Sequence, residues 1–593
     1  MKRLNVIKAE VHRKRVHYIM SNYNSCSVCN TSDASVHLDR DKDGLVRDAT
    51  QSHIKVKPIY NPEDTKQIDY ENDIADPGSY PYTRGLYPTM YRDRLWLKSF
   101  IVSYATPEET NEAFKSYIKN GMNDLRLLAD LPTQSGIDPD HPQSWNSMMC
   151  GGVSTYAMPV YEKMLEGLPL EGVTYETAHQ NVSCSIYFHA LLVAIMEKSG
   201  LSPKNLRGSG ICDPIRAKLV YASPDWPTEI NRRVCMDHVE YTIKNTPKWK
   251  AAAPNGVDPC QSGMDAIKEI GGVVAVASAI IEDLEKRGLN IDDYGSMVVS
   301  LDAESDFFET IAKFRAIRKV WAKVAKERFH AKTDKAMMMK IGIRTSGLSL
   351  QWQKPLNNAA RVAFQILSCV FGGVNSIDAS SIDEAIGLPS YEARMFNLDT
   401  QHIITHETNI PLVADPLGGS YYLEWLTSKF VEDCEKYLAE IEERGGIYEC
   451  LESGWLANIM EQNRLKIQRE KAEGKRLIIG VNAFQGEEGP INKAISNCAY
   501  KVPTEEARQE RVDEVTAFKK SRDYAKLSPC FARLYQDTKS GANISEAVIA
   551  GVKEGMTLGE MCGIVRLGYG LCYDPMEMLP TPDYVADALK ECE

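Results

Sequence analysis

The chain has 593 residues, 43% of them hydrophobic and 25% charged, with a formal charge of -12. That length allows two or more domains, or one large barrel with an appendage, and the acidic balance argues against bulk nucleic-acid binding, which needs a basic face. No apolar run approaches a membrane span, the basic N-terminus lacks an apolar core followed by a cleavage site, and fifteen scattered cysteines fit reduced thiols, so the expectation is a soluble cytoplasmic protein.

Residues 1–75 are expected to form a polar, loosely ordered N-terminal arm. Within it "CSVC" (Cys26, Cys29) has half-site spacing for zinc or redox chemistry, but no second pair follows nearby. "DRDKDG" (Asp39, Asp41, Asp43, Gly44) begins like a calcium loop, yet Thr50 stands where a bidentate glutamate is needed. Next, "YPTMYRDRLWLKSFIVSYA" sets Arg92 and Arg94 among Tyr87, Met90, Tyr91 and Trp96. Arginines between flat apolar side chains suit a ligand with phosphate and apolar parts; they equally suit a surface segment paired with ordinary carboxylates.

From about residue 110, helix-period segments alternate with short apolar runs. "TPEETNEAFKSYIKNG" opens with a capping signal, Thr106 and Glu109. The strand-like runs are "LRLLADLP", "VTYETAH", "LRGSGICD", "KWKAAAP", "SMVVSLDA", "MMMKIGIRTS" and "VNSIDA", with an eighth expected near "HIITH". Such alternation predicts a parallel sheet. Eight units over 76–420 predict an α/β fold, a (β/α)₈ TIM barrel, with an open doubly wound sheet as the competitor. Barrel chemistry belongs at the C-terminal strand ends, where polar residues recur: Asp130, Glu176, His179, Asp213, Asp258, Asp302 and Arg344. Residues 421–593 read as charged helices, interrupted by one short strand "LIIGVN" and ending in "MTLGEMCGIVRLGYG". This is a mainly helical linker or docking domain.

Taken together and in order, "YPYTRGLYPTMYRDRLW", "DLPTQSGIDPDHP", "SSIDEAIGLPS", "DPLGGSYYLEWLT" and "IGVNAF" resemble the methylmalonyl-CoA mutase family of coenzyme B12-dependent isomerases. The resemblance implies a TIM barrel with the substrate's pantetheine arm along its axis and adenosylcobalamin capping the open end. It implies that Tyr87, Thr89, Met90, Arg94, Leu128, Ser209, Ile211 and Arg344 face acyl-CoA, with Arg94 placed to meet phosphate. Glu384 of "DEAI" is implied to contact the adenosyl ribose, and Gln261 to belong to the cofactor side. None of the eleven histidines sits in the family's DxHxxG cobalamin motif, which implies a large subunit served by a separate small cobalamin-binding partner, in a homodimer or heterotetramer. Isobutyryl-CoA and 2-hydroxyisobutyryl-CoA mutases share that architecture.

Departures from the family bear on the substrate. A tyrosine of methylmalonyl-CoA mutases is Ile101 here, and the arginine that pairs with the substrate carboxylate is Tyr221. Losing that partner would strand a buried carboxylate. The aspartate that meets a hydroxyl in 2-hydroxyisobutyryl-CoA mutase is Leu128. The histidine at the thioester carbonyl aligns with Asp258 and the nearby glutamine with Ile211, while two CoA contacts align with Leu97 and Ser99. Asp258 is expected either to stay protonated and donate to the migrating carbonyl or to pair with a nearby cation. Arg126 and Arg344 could replace a lost anion contact. Together these imply a radical isomerase acting on an apolar or bulky branched acyl-CoA, with Asp258, Tyr221 and Ile101 at the reacting end. The alternatives are a mutase acting on a non-CoA acid and a degenerate paralogue that partners a true mutase.

Overall fold

The computed structural model describes residues 48–102, 104–177, 181–221, 226–497 and 503–592. Cys26, Cys29, the Asp39–Gly44 stretch and His179 lie outside them. Eight strands run β1 (Leu97–Val102), β2 (Asp124–Leu127), β3 (Thr174–Thr177), β4 (Gly208–Gly210), β5 (Trp249–Lys250), β6 (Met297–Ala303), β7 (Met339–Thr345) and β8 (Ser376–Asp378). All pair in parallel in the order β5-β4-β3-β2-β1-β8-β7-β6. A bridge between Asn255 and Ser300 brings the chain behind β5 against β6 and all but closes the ring. The barrel expectation holds, and the open sheet does not form.

The strand near "HIITH" is a correction. Those residues end the helix Tyr391–His406, whose N-terminus Ser390 caps. The eighth strand is instead β1, inside the arginine–tyrosine stretch. "LIIGVN" likewise contains no strand, only a bridge between Ile479 and Ala483. Residues 48–75 are not loose. The Gln51 and Ser52 amides donate to Asp306 and Glu309, both at 3.0 Å, and Tyr60 packs on Tyr422 and Trp425 with ring centroids 5.0 and 4.9 Å away.

Helices wrap the barrel as the periodicity requires. Thr106 and Glu109 form a reciprocal capping box on Pro107–Lys119, and Asp306 caps Phe307–Glu327. The "DPLGGSYYLEW" motif has a structural task. Arg315 reaches Asp415 and, at 2.6 Å, Glu424, and Arg84 meets Asp415 at 2.9 Å, which ties the turn before helix Tyr421–Glu443 to the barrel. The last helices fold back on the barrel's flank: Tyr187 donates to the Met556 carbonyl at 2.7 Å and Trp226 to that of Cys562 at 3.3 Å.

The barrel's inner face positions everything that follows. Along β7, Met339, Ile341, Ile343 and Thr345 are buried against helices, whereas Lys340, Gly342 and Arg344 alternate toward the axis. TIM-barrel interiors are normally filled by bulky branched side chains. Here the axis is lined by Ser209, Ser300, Gly342 and Ser376.

Candidate active site

Small side chains on four strands leave a bore. A cavity of about 300 Å³ opens at the N-terminal strand ends and runs inward past Ser209, Ile211, Ser300, Gly342 and Ser376. Its mouth is formed by Tyr87, Met90 and Arg94 on one side and by Arg207, Lys248, Lys250, Lys335 and Lys340 on the other. None of these six cations forms an ion pair among the described residues, whose salt bridges lie elsewhere. Lys248 and Lys250 donate only to neutral acceptors, the Asn205 side chain and the Tyr294 carbonyl, so on a chain of charge -12 the ring has the electrostatics to attract an anion. Arg94 lies over the Tyr87 ring, 5.5 Å from its centroid. Met90 is buried and lines the mouth. Thr89 points elsewhere: its hydroxyl bonds Asp93, and it does not line the cavity. Of the four mouth residues expected from the sequence, three converge and Thr89 does not.

Crowding has a measurable consequence. Burial, with Lys335 and Lys340 nearby, pushes the Lys250 ammonium down to about 7. Burial, opposed by Arg126 and helped by Asp124 and Asp378, raises the Glu176 carboxyl to about 7. A phosphate entering the mouth favours charged Lys250, so binding takes up a proton above pH 7. Glu176 turns negative over the same range. Both effects have one sign: affinity for a phosphorylated ligand is expected to fall several-fold between pH 6.5 and 8, above the ligand phosphate's own second ionisation at about pH 6. Titration calorimetry with CoA across that range checks it.

Above the serine tier the bore becomes ionic. Arg126 crosses it, reaching Glu176 at 3.2 Å and Asp124 and Asp378 at 3.5 Å each, with Ser376 Oγ accepting at 3.2 Å. Arg344 bonds Glu384 and lies 3.6 Å from Asp378. Burial opposes ionisation of Glu384, but Arg344 and Arg394 hold its carboxyl below the usual range. Asp258, on the turn of helix Val257–Ser262, pairs with Arg216. Of the two expectations for Asp258, the arrangement found is pairing with a nearby cation. Tyr221 stacks on the same guanidinium at 5.6 Å. Burial, then Arg216 and Asp258, set its phenol at about 12.

Arg216 is the residue the sequence did not single out. It follows "ICDP" with no periodic or motif signal; only the Asp258 and Tyr221 that it joins were legible. The ring of Arg207, Lys248, Lys250, Lys335 and Lys340 was equally hidden. Ile101, next to last in β1, faces a small pocket with Tyr104, Tyr117 and Leu388, Leu128 is half-buried behind β2, and Ile211 lines the bore. This end of the bore therefore combines apolar walls with three arginines, each held by carboxylates. It is more polar than Ile101, Leu128 and Ile211 alone implied.

Gln261 faces a second cavity of about 930 Å³ on the C-terminal side, shared with Cys260, Glu304, Leu348 and the helix Trp455–Ala472. Its amide donates to Asp302 Oδ1 at 2.7 Å.

The methylmalonyl-CoA mutase family model matches residues 49–571. The 2-hydroxyisobutanoyl-CoA mutase large subunit of Aquincola tertiaricarbonis is 32% identical over 491 residues, 82% of this chain and 86% of that protein. A probable mitochondrial methylmalonyl-CoA mutase of Caenorhabditis elegans is 31% identical over 513 residues, 86% of this chain and 68% of its own. The human mitochondrial methylmalonyl-CoA mutase is 30% identical over 523 residues, 88% of this chain and 68% of its own. Among the described residues no helix is long and apolar enough to cross a membrane.

Proposed function

This chain belongs to the methylmalonyl-CoA mutase family, a family of isomerases, and on that premise we propose that it is the large subunit of an adenosylcobalamin-dependent mutase acting on a branched acyl-CoA. The observation that carries the reading is the bore. A cationic ring with no ion-pair partner among the described residues suits the phosphates of CoA, a serine- and glycine-lined passage suits an extended pantetheine arm, and the ionic tier lies where the thioester would end. The same ring weighs against a non-CoA acid.

Adenosylcobalamin fits what the C-terminal face offers. Leu131, Tyr221 and Leu348, behind β2, β4 and β7, stay 46, 36 and 51% exposed, apolar surface of the kind a flat macrocycle covers. The half-buried Glu384 carboxylate and the Gln261 amide are polar groups on that side. When bound, the cofactor supplies a primary carbon radical that abstracts hydrogen from substrate, and the rearrangement is a 1,2-exchange of the thioester carbonyl with hydrogen. This chain's own residues bind, orient and exclude water. Arg216, held by Asp258, donates to the thioester carbonyl. Ile101, Leu128 and Ile211 pack the branched chain, and Arg126 must yield its long ion pairs for the arm to pass. A small cobalamin-binding subunit covers the C-terminal face, as the "large subunit" name of the Aquincola relative suggests.

The test separates phosphate from arm. Lys340→Glu and Arg207→Glu are each expected to weaken CoA binding by about tenfold or more while barely changing affinity for an acyl-pantetheine thioester, which lacks the nucleotide. Equal loss for both ligands, or no loss for either, contradicts the proposed orientation.

A further inference from the structure

We propose that Cys260, Asp302 and Glu304 form a binding site for one divalent cation of the zinc class, at the C-terminal end of β6. The inference stands on its own geometry and holds or fails apart from the acyl-CoA reading.

One thiol and two carboxylates converge there, each offering a ligand atom within 4.8 Å of the others. Around a tetrahedral zinc, ligand atoms sit roughly 3.5 Å apart, so small side-chain rotations complete the shell. Independently of that cluster, Asp302 has an unmet atom. The residue is fully buried; Oδ1 accepts from Gln261 at 2.7 Å, while Oδ2 has no hydrogen-bond partner. An unanswered carboxylate oxygen in such a place is costly, and a metal ion answers it.

Charge points the same way. Lys313 is close, but it is committed to Glu269 at 2.6 Å and to the Asp302 carbonyl at 2.6 Å. Neither Asp302 nor Glu304 forms an ion pair among the described residues. With one close lysine against the three acids Glu269, Asp302 and Glu304, the local balance suits one divalent ion.

Outer partners hold the ligands in place, as metal sites require. Ser346 Oγ donates to Glu304 Oε1 at 2.7 Å, and the Asp302 amide donates to Glu269 Oε1 at 2.7 Å. Cys260 and Glu304 also line the 930 Å³ cavity, which provides a route in and room for a water as fourth ligand. A mixed sulfur and oxygen donor set selects zinc or cobalt over magnesium and calcium. Burial, with Glu269 and Asp302 nearby, pushes the Cys260 thiol well up; binding therefore releases its proton as the sulfur–metal bond forms.

The experiment uses the full chain carrying Cys26→Ser and Cys29→Ser, which removes the other thiol pair with metal spacing. The chain is stripped with chelator and titrated with Co²⁺ without oxygen. One cobalt per chain is expected, with a thiolate-to-cobalt charge-transfer band in the near ultraviolet that zinc displaces. Cys260→Ser should abolish the band. Glu304→Gln, at a half-exposed position where folding is not at stake, should weaken cobalt binding by about 10-fold or more with unchanged circular dichroism. Absence of the band in the parent chain, or its persistence in Cys260→Ser, overturns the site.

Discussion

Gly342→Val is expected to abolish acyl-CoA binding, with dissociation constants at least about 100-fold higher, and to leave the fold intact. A Cβ at Gly342 meets Arg126 Nη2 and the Val299 carbonyl at 3.6 Å and the Ser376 Cβ at 4.0 Å. Those are ordinary van der Waals distances, so the first carbon is accepted. The two methyls beyond it enter a bore of about 300 Å³ on the inner face of β7. Hundredfold is about 2.7 kcal/mol, modest for an arm denied its passage. Stability should move the other way, because a glycine within a strand costs roughly 0.5–1 kcal/mol of chain entropy and valine suits the pleat. Thermal melting therefore serves as the control. A valine variant that melts normally and still binds CoA at parental affinity would remove the axial bore from the account.

The second large effect concerns the pair at the reacting end. Arg216→Met should lower kcat/KM by about 10²–10³, the scale for losing a positioned donor to a developing oxyanion. Asp258→Asn should cost less, about tenfold, because the guanidinium survives and only its orientation suffers. The side chains are 6 and 17% exposed, so the pair is screened little by solvent, and losing Arg216 leaves a carboxylate beside it unanswered. A guanidinium does not titrate in the working range, so turnover should show no limb from Arg216 between pH 6 and 9. If instead Arg216→Met were harmless and Asp258→Asn introduced or removed a titration, Asp258 would be a neutral acid after all.

Much of the barrel was legible because its strands are short apolar runs between helices of clear period. β6 and β7 carry their alternation openly. β1 was hidden because Trp96 to Val102 continues a stretch whose arginines and tyrosines suggest a ligand surface rather than a strand. "HIITH" misled for the opposite reason: a few apolar residues at a helix end fit either period, and only the Ser390 cap, twelve residues before His402, decides the matter. The site was legible only in part. Glu384 and Arg94 stand in recognisable motifs, but the cationic mouth is assembled from the four stretches that lead into β1, β4, β5 and β7, which barrel closure alone brings together. Arg216 had no local signal at all, since its meaning comes from Asp258, 42 residues away. Thr89 does not join the other three at the mouth because a neighbouring acid, Asp93, captures its hydroxyl, a local competition that motif likeness does not register.

The most direct measurement is electron paramagnetic resonance on the chain mixed with adenosylcobalamin, a small cobalamin-binding subunit and a panel of acyl-CoAs. The panel spans isobutyryl-, pivalyl-, 2-hydroxyisobutyryl- and methylmalonyl-CoA, together with longer alkyl- and arylsuccinyl-CoA. A coupled cobalt(II)–organic radical signal is expected with a branched member, and it should be lost in Gly342→Val. Silence across the panel, with the partner shown to bind, would contradict an acyl-CoA mutase.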